Sequence, residues 1–166
     1  MKNFKLTTET KINFLGVSLF RIEAILDFKS IKKGEKGGWV EKEENLSGDA
    51  WVSGNAQVSG NAWVYGDAQV SGNAQVSGNA RVYGDAWVYG NAQVYSDAWE
   101  KSPLQIQGTM HFLNICKKGY LKIGCHNFTF EYWKKNFKRI GKIENYSDKQ
   151  IKEYKLYIDL AVSLNN

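Results

Sequence analysis

Leu46-Ser-Gly-Asp-Ala-Trp51, Val52-Ser-Gly-Asn-Ala-Gln57 and so on to Val94-Tyr-Ser-Asp-Ala-Trp99 are one six-residue phrase, Val-x-Gly-Asn/Asp-Ala-x, repeated nine times over residues 46–99 without an insertion. A short fixed period marks a solenoid, because one repeat cannot bury its own apolar side and must stack on its neighbours. The Ala-x-Val segment alternates with the period of a strand, so Ala and Val point inward and the residue between them points out. Gly followed by Asn or Asp stands where the chain must turn, and these types accept positive φ at low cost. Three strands and three corners close a triangle of eighteen residues, so residues 46–99 predict three coils.

This motif resembles the hexapeptide-repeat family, and the resemblance implies a left-handed parallel β-helix. Stacking makes residues eighteen apart neighbours at the ~4.8 Å spacing of paired strands, so outward columns can be read directly. One face carries Trp51, Gln69 and Trp87, the second Gln57, Gln75 and Gln93, and the third Trp63, Arg81 and Trp99, with Tyr65 over Tyr83 beside it. An arginine between two indoles predicts a cation–π stack. Such a ladder either only ties the coils together or presents the aromatic and arginine composition that binding hot spots favour. One corner stacks Asp49, Asp67 and Asp85, tolerated at an exposed turn or neutralised by a bound cation, and another stacks Asn55, Asn73 and Asn91.

The flanks are expected to cover the open ends of the coils, which would otherwise expose apolar side chains and unpaired backbone. Leu19 to Leu26 reads as a strand, Lys32 to Gly38 as a turn, and Val40 lies six residues before Leu46, in register with the repeat. The acidic run Glu41, Glu43 and Glu44 reads as a solvated edge. After Trp99 the phrase stops, and the only proline, Pro103, marks the exit. Met110 to Cys116 and Tyr120 to Gly124 form a hairpin about Lys117-Lys-Gly119. Two helices follow: Phe130, Trp133, Phe137 and Ile140 make one apolar stripe, and Ser147-Asp-Lys-Gln150 opens the second helix as a capping box. The chain is thus mainly β: an N-terminal β cap (1–39), the β-helix (40–102), and a C-terminal β-hairpin with two α-helices (103–166).

Charge is unevenly placed. Residues 1–45 carry nine basic and seven acidic side chains, 46–99 one and four, and 100–166 twelve and six. A partner bearing phosphates is therefore expected at the C-terminal end. Lys134, Lys135, Lys138, Arg139 and Lys142 lie opposite the apolar stripe of the first helix, either as a solvated face or as a nucleic-acid contact whose binding falls steeply with salt. No signal peptide or transmembrane span is read, and Cys116 and Cys125 are expected to be free thiols in a reducing cytoplasm.

The repeat offers little chemistry. Many hexapeptide-repeat proteins are acyltransferases that use a histidine base, and others resemble γ-class carbonic anhydrases with three metal-binding histidines. The coils here hold no His, Cys or Lys, and the chain has only two histidines, His111 and His126. The hairpin places His111 opposite Cys125 with His126 beside it, a zinc arrangement or a set of ordinary buried thiols and polar histidines. No cofactor and no catalytic or metal-binding residue is assigned.

Leu19-Phe-Arg-Ile before the repeat, Gly37-Gly-Trp-Val-Glu-Lys-Glu leading into it, Ser102-Pro-Leu-Gln-Ile-Gln-Gly after it and Lys117-Lys-Gly-Tyr-Leu-Lys-Ile-Gly-Cys-His126 are similar to a group of repeat proteins carried by bacteriophages and prophages, described as polymer-forming or hypothetical. The resemblance implies life in a host cytoplasm and, by analogy with small phage proteins, inhibition of antiviral defence such as CRISPR. The expected function is a non-catalytic protein that blocks a host protein or ribonucleoprotein complex through Trp63, Arg81, Trp99, Tyr65 and Tyr83, with the basic helix as a possible nucleic-acid contact. No membrane partner is expected, and a homo-oligomer, dimer or trimer, is possible. The alternatives are a hexapeptide-repeat acyltransferase and a structural or polymerising phage protein.

Overall fold

A computed structural model describes residues 2–164. The chain divides into two compact units, up to Pro103 and from Leu104 onward.

The first unit contains strands β1 (Phe4–Ile12), β2 (Ser18–Ala24) and β3 (Lys36–Val40), then nine two-residue strands: β4 (Trp51–Val52), β5 (Gln57–Val58), β6 (Trp63–Val64), β7 (Gln69–Val70), β8 (Gln75–Val76), β9 (Arg81–Val82), β10 (Trp87–Val88), β11 (Gln93–Val94) and β12 (Ala98–Trp99). They stack in parallel as three faces, β4-β7-β10, β6-β9-β12 and β3-β5-β8-β11, and so form a β-solenoid of about three turns. Gln57 pairs with Gln75 and Gln75 with Gln93, the eighteen-residue period of the sequence. Val52, Val58, Val64, Val70, Val76, Val82 and Val88 are fully buried and Val94 is 1% exposed, and the preceding Ala residues Ala50 to Ala92 are no more than 2% exposed. Each fully buried Val contributes roughly 2 kcal/mol.

The corner glycines Gly48 to Gly90 all take φ between +61° and +70°. Packing adds a second constraint: a Cβ on Gly72 would lie 3.0 Å from the backbone nitrogen of Gly90, one coil on. Glycine therefore serves both the left-handed turn and the close approach of successive coils.

The coil does start at Val40, which pairs with Val58 eighteen residues on. The N-terminal cap, however, is continuous with one solenoid face, since β1 and β2 extend the β3-β5-β8-β11 sheet as an antiparallel hairpin. β1 adds to the sequence pattern, which marks only β2 and its turn. The acidic run is also more engaged than a solvated edge. Glu41 accepts the N–H of Gly60 at 2.5 Å, Glu43 pairs with Lys2, and fully buried Asn45 donates to the carbonyls of Ala62 and Gly60 at 2.7 and 3.1 Å. These polar groups close the first corner, where no glycine turn exists.

The second unit is a four-stranded antiparallel meander, β13 (Gln105–Gln107), β14 (Phe112–Lys117), β15 (Tyr120–Ile123) and β16 (His126–Thr129), followed by α1 (Phe130–Ile143) and α2 (Asp148–Leu164). The hairpin about Lys117-Lys-Gly119 is present as β14–β15, and β13 and β16 widen it. Thr129 caps α1 by accepting from the N–H of Tyr132, and Ser147 and Gln150 exchange bonds as a capping box at the start of α2. Phe130, Trp133 and Ile140 are buried as the stripe predicts, and Trp133 Nε1 donates to the carbonyl of Leu121 at 2.7 Å. Among the described residues, no helix is long and apolar enough to cross a membrane.

Candidate binding surface

The third solenoid face begins as read. Trp63 of β6 pairs with Arg81 of β9. Trp63 is 42% exposed, with its Nε1 fixed to Ser47 Oγ at 2.8 Å. At the adjoining corner its ring stacks on Tyr65 (centroids 4.1 Å apart, planes at 29°), which stacks on Tyr83 (5.0 Å, 5°). The three rings form a continuous pile along the solenoid axis, each contact worth about 0.5–1.5 kcal/mol beyond burial. Arg81 is exposed beside it.

Trp99 does not join this column. It pairs with Val82, while Ala98 pairs with Arg81, and the N–H of Arg81 bonds to the carbonyl of Asp97. The cause lies in the ninth corner, where Ser96 replaces the repeat's glycine. Positive φ moves to Asp97 (+68°), the corner shortens by one residue, and every later side chain changes face. Exposed Ala98 thus takes the outward slot over Arg81, and half-buried Trp99 takes the inward valine slot, its Nε1 donating to the carbonyl of Ser96 at 2.7 Å. The arginine is therefore not sandwiched between indoles. Cations do stand over aromatic rings elsewhere, Lys11 and Arg21 over Trp39 and Lys117 over Tyr120. The sequence signal for this slip was the single Ser in place of Gly.

The other columns keep register, Trp51–Gln69–Trp87 on one face and Trp39–Gln57–Gln75–Gln93 on the next. Trp51 is buried against Phe28 and so leaves the outer surface, whereas Trp87 is 49% exposed. At the aspartate corner a lysine of the chain pairs with one of the three carboxylates. Lys29 Nζ bonds to Asp67 Oδ1 at 2.8 Å and to the Asp49 carbonyl at 3.0 Å, and Asn3 donates to Asp49 Oδ1 at 2.6 Å. Lys29 holds φ at +48°, an unfavourable conformation for a residue with a Cβ. Nothing in the sequence around Lys29 announced this role, because its partners lie 20 and 38 residues away.

In the second unit, Lys134, Lys135, Lys138, Arg139 and Lys142 are all exposed on α1, with Arg139 held by Tyr132 Oη at 3.1 Å. His111, Cys125 and His126 line one cavity with room for about one water molecule. Each ring is engaged within the unit: His111 Nδ1 lies 2.5 Å from Tyr146 Oη and His126 Nε2 lies 2.7 Å from Glu144 Oε1. Burial, and then the neighbouring Tyr154, raise the Tyr146 hydroxyl well above its ordinary pKa. Cys116 is buried and Cys125 exposed, and neither is in a disulfide. No group of three or more His, Cys, Asp or Glu able to hold a metal ion occurs among the described residues.

No curated protein matches the chain. Residues 56–72 and 74–90, two stretches whose starts lie one coil apart, are similar to the YdcK Beta solenoid repeat.

Proposed function

We propose that the chain is a non-catalytic binding protein whose rigid solenoid presents Trp63, Tyr65, Tyr83 and Arg81 to a macromolecule and blocks it. The observation that carries this reading is the pile of exposed Trp63 on half-buried Tyr65 and Tyr83, with an exposed guanidinium alongside. Aromatic and arginine side chains on a stiff backbone lose little freedom on binding and are the types that dominate interface energetics. The basic face of α1 supplies a second contact, for phosphates. The resemblance to phage-borne repeat proteins favours a host protein or ribonucleoprotein as the partner, encountered in the host cytoplasm, and inhibition of a defence system such as CRISPR as the outcome.

Tagged protein from infected-host lysate, with mass spectrometry of what co-purifies, tests this. Arg81→Ala is expected to weaken capture of the partner ~30-fold, as removal of a hot spot worth about 2 kcal/mol does, without moving the melting temperature. Trp63→Ala with Tyr83→Ala is expected to abolish capture at a modest stability cost. Undiminished capture by both variants refutes the assignment of this face.

A further inference from the structure

The β1–β2 hairpin ends in an apolar tip that stands mostly in water. Ile12, Phe14 and Leu15 are 72%, 75% and 64% exposed. The turn that carries them is built, because Asn13 Oδ1 accepts the N–H groups of Leu15 and Val17 at 2.9 and 3.0 Å. Asn13 also bonds through its backbone to Val17, and Gly16 takes φ +79°. These bonds hold Phe14 and Leu15 in water, where contiguous apolar surface marks an interaction site.

Behind the tip, Lys11 of β1 and Arg21 of β2 gather over Trp39, 4.5 and 5.1 Å from its ring centre. Neither takes part in an ion pair, whereas the neighbouring carboxylates are engaged, Glu9 by Lys36 and Glu23 by Lys5. Burial, and then the charge of Arg21, lower the pKa of Lys11. Two cations are thus held close together, and among the described residues no carboxylate is within ion-pair distance of either, although Glu9, held by Lys36, also feels the charge of Arg21.

We propose that this hairpin is a peripheral membrane anchor: Ile12, Phe14 and Leu15 enter the headgroup–acyl boundary of an anionic bilayer while Lys11 and Arg21 meet lipid phosphates. A second copy of the chain fits this patch poorly. Stable protein interfaces bury about 1,000 Å² or more, far beyond three side chains, and two copies of the same basic collar repel. A fluid bilayer needs no shape complement, and its anionic surface attracts each basic residue. The lack of a spanning segment, which argued against a membrane partner, governs crossing a bilayer and not lying at its surface.

The test is cosedimentation of the full chain with phosphatidylcholine vesicles, with and without phosphatidylserine, alongside surface-pressure measurements on a phosphatidylserine monolayer. The intact protein is expected to partition onto phosphatidylserine vesicles alone, to dissociate as salt rises, and to raise the monolayer pressure. Phe14→Ser with Leu15→Ser leaves the melting temperature unchanged, lowers partitioning ~10-fold or more and abolishes the pressure rise. Lys11→Gln lowers partitioning about fivefold. Three results overturn the proposal: no binding to phosphatidylserine vesicles; binding that survives the double substitution without a pressure rise, which is adsorption through α1; or a particle mass that falls to a monomer's in the double variant, which is pairing of copies.

Discussion

Within the solenoid the backbone bonds either close a corner three residues back, as Ala56 to Ser53, or reach about one coil on, as Trp51 to Ala68 and Gln57 to Ala74, whereas Thr109, Met110 and His111 of the second unit are tied to Glu153 and Tyr154, 43 or 44 residues on. In the first region a single local rule, applied nine times, sets both register and core. In the second, a few side chains of α2 decide how a strand and its loop are held. Tyr154 Oη accepts the N–H groups of His111 and Met110 at 2.5 and 3.1 Å and donates to the His111 carbonyl at 2.7 Å. A repetitive unit spreads its stability over equivalent contacts, and a non-repetitive one concentrates it.

Val70 sits on the middle strand of its face with its side chain fully buried, so Val70→Asp buries an unpaired charge between two coils. A loss above about 4 kcal/mol is expected, enough to abolish the cooperative β transition followed by circular dichroism. A melting curve close to that of the parent would break the stacked-core account. Tyr154→Phe leaves two N–H groups and one carbonyl without their hydroxyl, and a loss of about 1–3 kcal/mol is expected in chemical denaturation. A negligible loss would remove the contrast between concentrated and distributed stability.

Ser96→Gly restores the glycine of the ninth corner. It is expected to return Ala98 inward and Trp99 outward over Arg81, at a change in stability of about 1 kcal/mol or less. The indole N–H of Trp99, now bonded to Ser96, would lose its protection from hydrogen exchange, and retained protection means that the corner is set by something other than position 96. The smallest effect concerns pH. The side chain and then the backbone N–H of Thr109 hold Glu153 below its ordinary pKa of 4.5. Its contribution is therefore present above pH 4.5 and lost as pH falls through the lower folded value. Glu153→Gln should flatten the acid limb of stability against pH, and an unchanged limb would assign acid sensitivity elsewhere.

The inward valines, the Asn and Gln columns, the start of the coil at Val40 and both helices were legible because each follows from a local pattern. The fate of Trp99 was not, although its cause was one residue long. A strand period of two turns a single-residue change at a corner into an exchange of faces, and reading the ninth phrase as equivalent to the other eight hid it. The proposed surface therefore keeps Trp63, Tyr65, Tyr83 and Arg81 together, while Trp99 closes the inside of the last coil. The N-terminal strand was missed for another reason: Phe4–Ile12 is mostly polar, its side chains partner β2 and β3, and it has little apolar alternation to read.

The sequence by itself determined the solenoid, its eighteen-residue coil and the chemistry of its columns, because backbone geometry and side-chain period act over a few residues at a time. Tertiary structure alone decided that Lys29 pairs with Asp67 at the aspartate corner, that Lys11 and Arg21 meet over Trp39, and that His111 and His126 are occupied by Tyr146 and Glu144. Those contacts join residues far apart in the chain, and no local preference specifies which distant partner a charge or a ring nitrogen will find.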